Sequence, residues 1–314
     1  MTVPRRNARC LSLVRATLSV AAVLLMPIVA GAGEGPPLDL EAVNGEANEA
    51  TLSPVPTRRE LNEALLAAVL AGDVGKVRTG LEAGASANAR DGAGRSALML
   101  AVTQGHEVTE RVLQEGFGTR LELIGLPAPA VTSEQSAMIE MLVAAGADVD
   151  APDREGRTAL QYAAERDYAA LVRQLANAGA RADTPFPSGL PAACLVASRG
   201  FAQTLAALRQ AGADLTATSP KTGKRPVHYA AEGDHVAAVA YLLEAGADVE
   251  STTSRGWTPL LIAAAGGQLA LTQLLLDHGA DRNAVTGRGL SPLDVARARG
   301  HTAVVALLES SVSP

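Results

Sequence analysis

Residues 256–281 read GWTPLLIAAAGGQLALTQLLLDHGAD, and the order of residue types in this stretch dictates two short helices joined by a turn. Thr258 is a side-chain cap and Pro259 takes the first helical position, where no backbone donor is lost. The small residues Ala263 and Ala264 let a neighbouring helix approach closely. After Gly266-Gly267 a second helix carries a Leu-Leu pair suited to a stacking core, and Gly279 permits the left-handed residue that ends it.

The same two anchors recur in phase through most of the chain. Gly-Ala pairs begin at Gly84, Gly146, Gly179, Gly212, Gly246 and Gly279, so that after a first gap of 62 the spacings are 33, 33, 34 and 33. Small apolar stretches opened by a turn or capping residue keep step with them: SALMLAV from Ser96, TALQYAA from Thr158, PAACLVA from Pro191, RPVHYAA from Arg225, TPLLIAA from Thr258 and SPLDVAR from Ser291. A fixed period of this length is the mark of stacked repeats, each unit contacting only its neighbours.

The pattern running from Gly256-Trp257-Thr258-Pro259-Leu260 to Gly279-Ala280-Asp281 resembles the ankyrin repeat, and the resemblance extends over roughly residues 60 to 311. It implies an all-α repeat solenoid of about seven helix-turn-helix units with finger-like hairpin loops between them. Units are expected to begin near Leu61, Gly94, Gly156, Gly189, Gly223, Gly256 and Gly289. The first and last depart from the pattern as polar caps should. The fourth is expected to be the least regular, because Pro185, Pro187 and Pro191 crowd the finger before it. The gap of 62 assigns about 29 extra residues to the second unit, an insertion at 107–133 in the turn between its helices.

The chain begins with Arg5, Arg6, Arg9 and Arg15 ahead of an apolar run from Ala16 to Ala30, followed by Ala30-Gly31-Ala32. This reads as a signal peptide over residues 1–32, cut near Gly33. With Pro27 inside it, the run is short for the ~20 residues of a bilayer-spanning helix. The expectation is therefore a periplasmic or secreted protein with no integral span in the mature chain; an uncleaved inner-membrane anchor is the alternative. Residues 33–59, rich in Gly, Pro, Glu and Asn, read as a solvated linker, and 60–314 as the repeat domain. Losing the leader removes four of 27 basic residues and none of 33 acidic ones, which leaves a formal charge of −10. So acidic a chain argues against nucleic acid as partner. Cys194 is the only cysteine outside the leader, so no internal disulfide is expected; the mature chain is also expected to be a monomer.

Each candidate for chemistry has a scaffold reading. In ankyrin-like repeats, His106, His235 and His301 occupy a Gly-His slot and His228 a Thr-Pro-Leu-His slot, both structural, while His278 sits at a helix end. No metal-ligand spacing and no phosphate-cradling loop occurs, so neither metal nor cofactor is expected. Cys194 reads as a small core residue. The chain is not expected to be an enzyme.

What remains is surface. In ankyrin-like proteins binding uses finger tips and the exposed positions of each first helix. Those slots here hold Arg90, Arg95, Gln104, Arg154, Glu155, Arg157, Glu165, Arg166, Arg199, Lys221, Lys224, Glu232, Arg255, Trp257, Arg288 and Arg299, of which eleven are basic and three acidic. Arg95, Arg154, Arg157, Arg166, Arg199, Lys221, Lys224, Arg255, Arg288 and Arg299 form the expected basic groove for a protein partner with an acidic surface, with Trp257 as an anchor that no stacking role requires. The resemblance thus implies an exported interaction scaffold or adaptor; a regulator acting through 107–133 is the alternative.

Overall fold

Ser96, Thr158, Thr258 and Ser291 each accept a hydrogen bond at Oγ from the backbone N–H three residues on, at Met99, Gln161, Leu261 and Asp294, over 3.2–3.4 Å. Each thereby satisfies one of the orphan donors at a helix start, and a short helix follows every one. The computed structural model describes residues 56–104 and 131–310. Among them are fourteen helices, which pair into seven units: α1 Arg58–Ala71 with α2 Val74–Glu82, α3 Ala97–Thr103 with α4 Ser133–Ala144, α5 Ala159–Glu165 with α6 Ala169–Asn177, α7 Ala192–Ser198 with α8 Ala202–Gln210, α9 Pro226–Glu232 with α10 Val236–Glu244, α11 Pro259–Gly266 with α12 Leu269–Asp277, and α13 Pro292–Arg299 with α14 Thr302–Ser310. The expected leader, the linker up to residue 55 and residues 107–130 of the expected insertion lie outside the described residues.

First helices stack on first helices along the whole series. Ala163, Ala197, Ala230 and Ala263 are fully buried at these contacts, where a larger side chain would force the helices apart. Behind them the second helices carry a row of leucines one unit apart, Leu142, Leu175, Leu208, Leu242, Leu275 and Leu308, all buried. Each leucine fully removed from water is worth about 1.5–3 kcal/mol, so this row and its neighbours dominate the core. Gly279, at φ +84°, shows how each second helix stops before the chain turns toward the next finger.

The fingers are closed hairpins. Backbone N–H groups of Asp91, Asp153, Phe186, Thr253 and Thr286 bond the carbonyls of Arg95, Arg157, Leu190, Trp257 and Leu290 at 2.9–3.0 Å. The fourth finger, expected to be irregular because of its prolines, closes like the rest. Phe186 cannot supply the side-chain acceptor that Asp91, Asp153, Thr253 and Thr286 offer, but it is buried instead. The departure lies one unit later, where Ser219 reaches to Lys224 and the finger holds an extra residue. That extra residue is the origin of the single 34-residue spacing.

Side-chain oxygens tie most finger bases to the next: Asn88, Asp150, Asp183 and Glu250 accept from the backbone N–H of Asp148, Arg181, Asp214 and Asp281 at 2.7–2.9 Å. The ends are finished differently. Thr57 and Glu60 form a reciprocal capping box that starts α1 at Arg58, two residues before the expected boundary. In the last unit Asp294 and Arg297 stand where the sixth has Leu261 and Ala264, and Arg297 pairs with Glu309, so the terminal face is polar as a cap requires.

Candidate functional site

The finger tips and the residues just before each first helix lie on one face of the stack. Counting by units, one column of this face reads Arg95, Arg157, Leu190, Lys224, Trp257 and Leu290. Its cationic members are answered within their own units. The Nε of Arg95 pairs with Asp91 at 2.8 Å, and Arg157 pairs with Glu155 at 2.9 Å while lying over the Tyr162 ring at 4.6 Å. Lys224 pairs with Glu232 and lies 5.4 Å from the centre of the Tyr229 ring.

Tyr162 organises the third unit. Its hydroxyl donates to Asp153 at 2.7 Å, and Arg166 lies 5.4 Å from its ring centre. Burial first, then that hydrogen bond, pushes the phenol up to about 12. Burial alone would raise the Asp153 carboxyl, but the N–H of Arg157, the Tyr162 hydroxyl and the N–H of Glu155 outweigh it and hold the group below the usual carboxylate range. Arg166 also donates to the Tyr162 carbonyl, Arg199 to the Glu165 carbonyl and Arg299 to the Ala265 carbonyl. These guanidiniums fasten helix ends within and between units. Of the expected basic groove, Arg95, Arg157 and Lys224 are therefore compensated by carboxylates of their own fingers and helices.

Arg154, Lys221, Arg255 and Arg288 differ. They sit at finger tips, are exposed, and have no carboxylate partner among the described residues. Consecutive tips touch: the Ser254 N–H and hydroxyl both donate to the Thr222 carbonyl, at 3.2 and 2.8 Å, and the Gly287 N–H donates to the Arg255 carbonyl at 3.3 Å. A Cβ at Gly94 would fall 2.7 Å from Cγ of Arg154, so the stem of that side chain lies over the glycine of the second finger.

Trp257 corrects the sequence reading. It is half-buried and packs on Leu261, Ala265 and Val295, so it does have a stacking role. The physical reason is the next unit, whose Val295 completes a ledge that its own repeat does not supply. Sequence reasoning also passed over Leu290 and Val285, which are 46% and 55% exposed. The signal was there, since Leu290 stands 33 residues after Trp257 in the same column.

The groups singled out for chemistry are scaffold. His228 accepts the Arg225 N–H at Nδ1 over 3.0 Å and donates from Nε2 to the Ser251 carbonyl at 2.9 Å. His235, His278 and His301 bond the carbonyls of Ser198, Leu274 and Ala265 at 2.9–3.0 Å. His106 lies outside the described residues. Cys194 is fully buried, and burial pushes its thiol up to about 12, far from a reactive thiolate.

The family model described as ankyrin repeats (3 copies) matches residues 129–253 and 228–313. This chain belongs to the ankyrin-repeat family. Among solved structures, the ankyrin repeat domain of Bcl-3, a unique member of the IkappaB protein family, is 26% identical, with a TM-score of 0.61 over 78% of this chain and 97% of that one. The human ASB11 ankyrin repeat domain is 25% identical, with a TM-score of 0.60 over 80% and 98%. Comparison with curated proteins gave no match. Ankyrin repeat domains generally mediate protein–protein interaction, and the ankyrin stack here carries on its finger side four tip cations with no carboxylate partner among the described residues. Among the described residues no helix is long and apolar enough to cross a membrane.

Proposed function

We propose that this ankyrin stack binds a partner protein across its fingers and first helices, and that it does so outside the cytosol after loss of residues 1–32. The observation that carries the reading is the tip-to-tip bonding of consecutive fingers, Ser254 to Thr222 and Gly287 to Arg255. It holds the backbone that carries Lys221, Arg255 and Arg288 in a fixed row, so the loops need little further ordering when a partner arrives. Cations presented in this way favour an acidic partner surface and speed association.

A photo-crosslinking residue at Lys221 or Arg288, and as controls at Arg173 or Arg209 on the exposed second helices, tests the site in envelope extracts of the exporting cell. Adducts from the finger positions alone are the expected result; equal or stronger trapping from the controls refutes it. N-terminal sequencing of the same envelope-purified protein addresses export, with a start near Gly33 expected and an intact Met1 contrary to it.

A further inference from the structure

The finger column changes character along the stack. Arg95, Arg157 and Lys224 are answered by Asp91, Glu155 and Glu232 and Leu190 of the fourth unit stands alone between them, half-buried, whereas the sixth and seventh units present two apolar members side by side, Trp257 and Leu290. Leu290 is 46% exposed and Val285, in the same finger, 55% exposed. Two exposed guanidiniums accompany them, Arg255 two residues before Trp257 and Arg288 two residues before Leu290, with no carboxylate partner among the described residues. Their spacing is set by the backbone, because the Gly287 N–H bonds the Arg255 carbonyl and a Cβ on Gly256 would come within 2.9 Å of the Gly287 nitrogen.

We infer that the paired finger tips of the sixth and seventh units are the partner's principal anchoring site, and that they take a protein segment in which an apolar side chain is flanked by carboxylates. This rests on the finger-face reading above and narrows it to two units and one chemistry. An apolar side chain set against Trp257 and Leu290 removes from water the apolar surface this face leaves exposed. Carboxylates on either side meet Arg255 and Arg288 in the charge-assisted, bidentate geometry guanidinium favours. A wholly apolar segment would strip water from two cations without replacing it, and a basic one would be repelled.

Trp257 is the only tryptophan of the chain, so its emission reads this site directly. A random-peptide display library panned against the full-length protein is expected to enrich peptides with Asp or Glu on both sides of Leu, Ile or Phe. The synthetic winner should shift Trp257 emission. Its affinity should fall by about tenfold or more in Arg255→Ser/Arg288→Ser and in Leu290→Ser, all exposed positions at which the fold is not at stake, and should weaken as salt rises through about 50 to 300 mM. Enrichment of basic or uncharged peptides, failure to enrich any, unchanged affinity in both variants, or an equal emission shift with a single-stranded oligonucleotide overturns the inference. Hydrogen exchange with the winning peptide bound separates the two claims. Protection confined to the fingers of units two to five overturns this inference and leaves the finger-face reading standing; protection on the second helices overturns both.

Discussion

The imidazole of His235 occupies the space a Cβ on Gly200 would need: the added carbon would stand 2.5 Å from Nδ1, while Nε2 bonds the Ser198 carbonyl at 3.0 Å. His301 repeats the arrangement over Gly267, again at 2.5 Å. Each histidine thus locks the first-helix end of the preceding unit. Gly200→Ala should be costly on two counts, the φ of +75° and the displaced ring. A loss of ~2 kcal/mol or more is expected, read from urea unfolding followed by circular dichroism. An unchanged midpoint would mean that the ring moves aside freely.

Asp167 and Asp234 hold the corresponding left-handed position at φ +59° and +56°. Glycine tolerates this conformation better than aspartate, so Asp234→Gly should raise stability by ~0.5 kcal/mol. Asp167→Gly should go the other way by ~1 kcal/mol, because Asp167 accepts a 2.7 Å bond from the hydroxyl of buried Thr204, which would lose its partner. Opposite signs for the two substitutions, measured side by side, check the assignment.

His228 is buried and receives the Arg225 N–H at Nδ1, so the neutral ring is the one the fold accommodates. Burial, reinforced by Arg225 and Lys224 and opposed by the Ser251 bond and Glu232, depresses its pKa below the ordinary 6.5. The unfolded chain then binds a proton that the folded one resists. Stability from this site is complete above about 6.5 and is lost as pH falls below it, by up to ~1.4 kcal/mol per pH unit until the folded group itself titrates. Gln161 makes the same pair of contacts in the third unit, accepting the Thr158 N–H and donating to the carbonyls of Thr184 and Pro185 at 3.0 Å. His228→Gln should therefore fold and should flatten the fall in melting temperature between pH 7 and pH 5. An unaltered slope would show that the drop comes from the carboxylates alone.

Arg282 stands where other units carry Ala87, Val149, Ala182, Leu215 and Val249, and its Nη1 is buried without a hydrogen-bond partner. Arg282→Val restores the apolar finger base and removes an unsatisfied donor, for an expected gain of ~1 kcal/mol in the unfolding midpoint. Destabilisation would mean that the guanidinium stem contributes packing a valine does not replace.

The repeat was legible because its marks answer local requirements. Thr258-Pro259 starts a helix and Gly279 stops one through their own backbone chemistry, whatever lies beside them. The Cys194 and His228 slots were readable for the same reason. What escaped notice was set by neighbours. Trp257 packs on Val295 of the following unit, and Arg157 is compensated by Glu155 and drawn over Tyr162. The order of charges along the chain holds none of these pairings, so Arg95, Arg157 and Lys224 read as free cations when each has a carboxylate partner. The prolines near Phe186 suggested irregularity in a finger that a buried aromatic closes, while the truly different finger, Ser219 to Lys224, showed only as one residue more in the spacing.

The ties from Asn88 to Asp148, Asp150 to Arg181, Asp183 to Asp214 and Glu250 to Asp281 each join a unit to its immediate neighbour and to nothing further along. Mechanically the stack is a chain of clasps in series. Tension applied across it falls equally on every clasp, and the weakest yields while the others stay shut, so extension proceeds in steps of one unit and can be re-wound one unit at a time. A ligand seated on the tips of the sixth and seventh units would bridge the clasp between them and move the first point of yielding elsewhere.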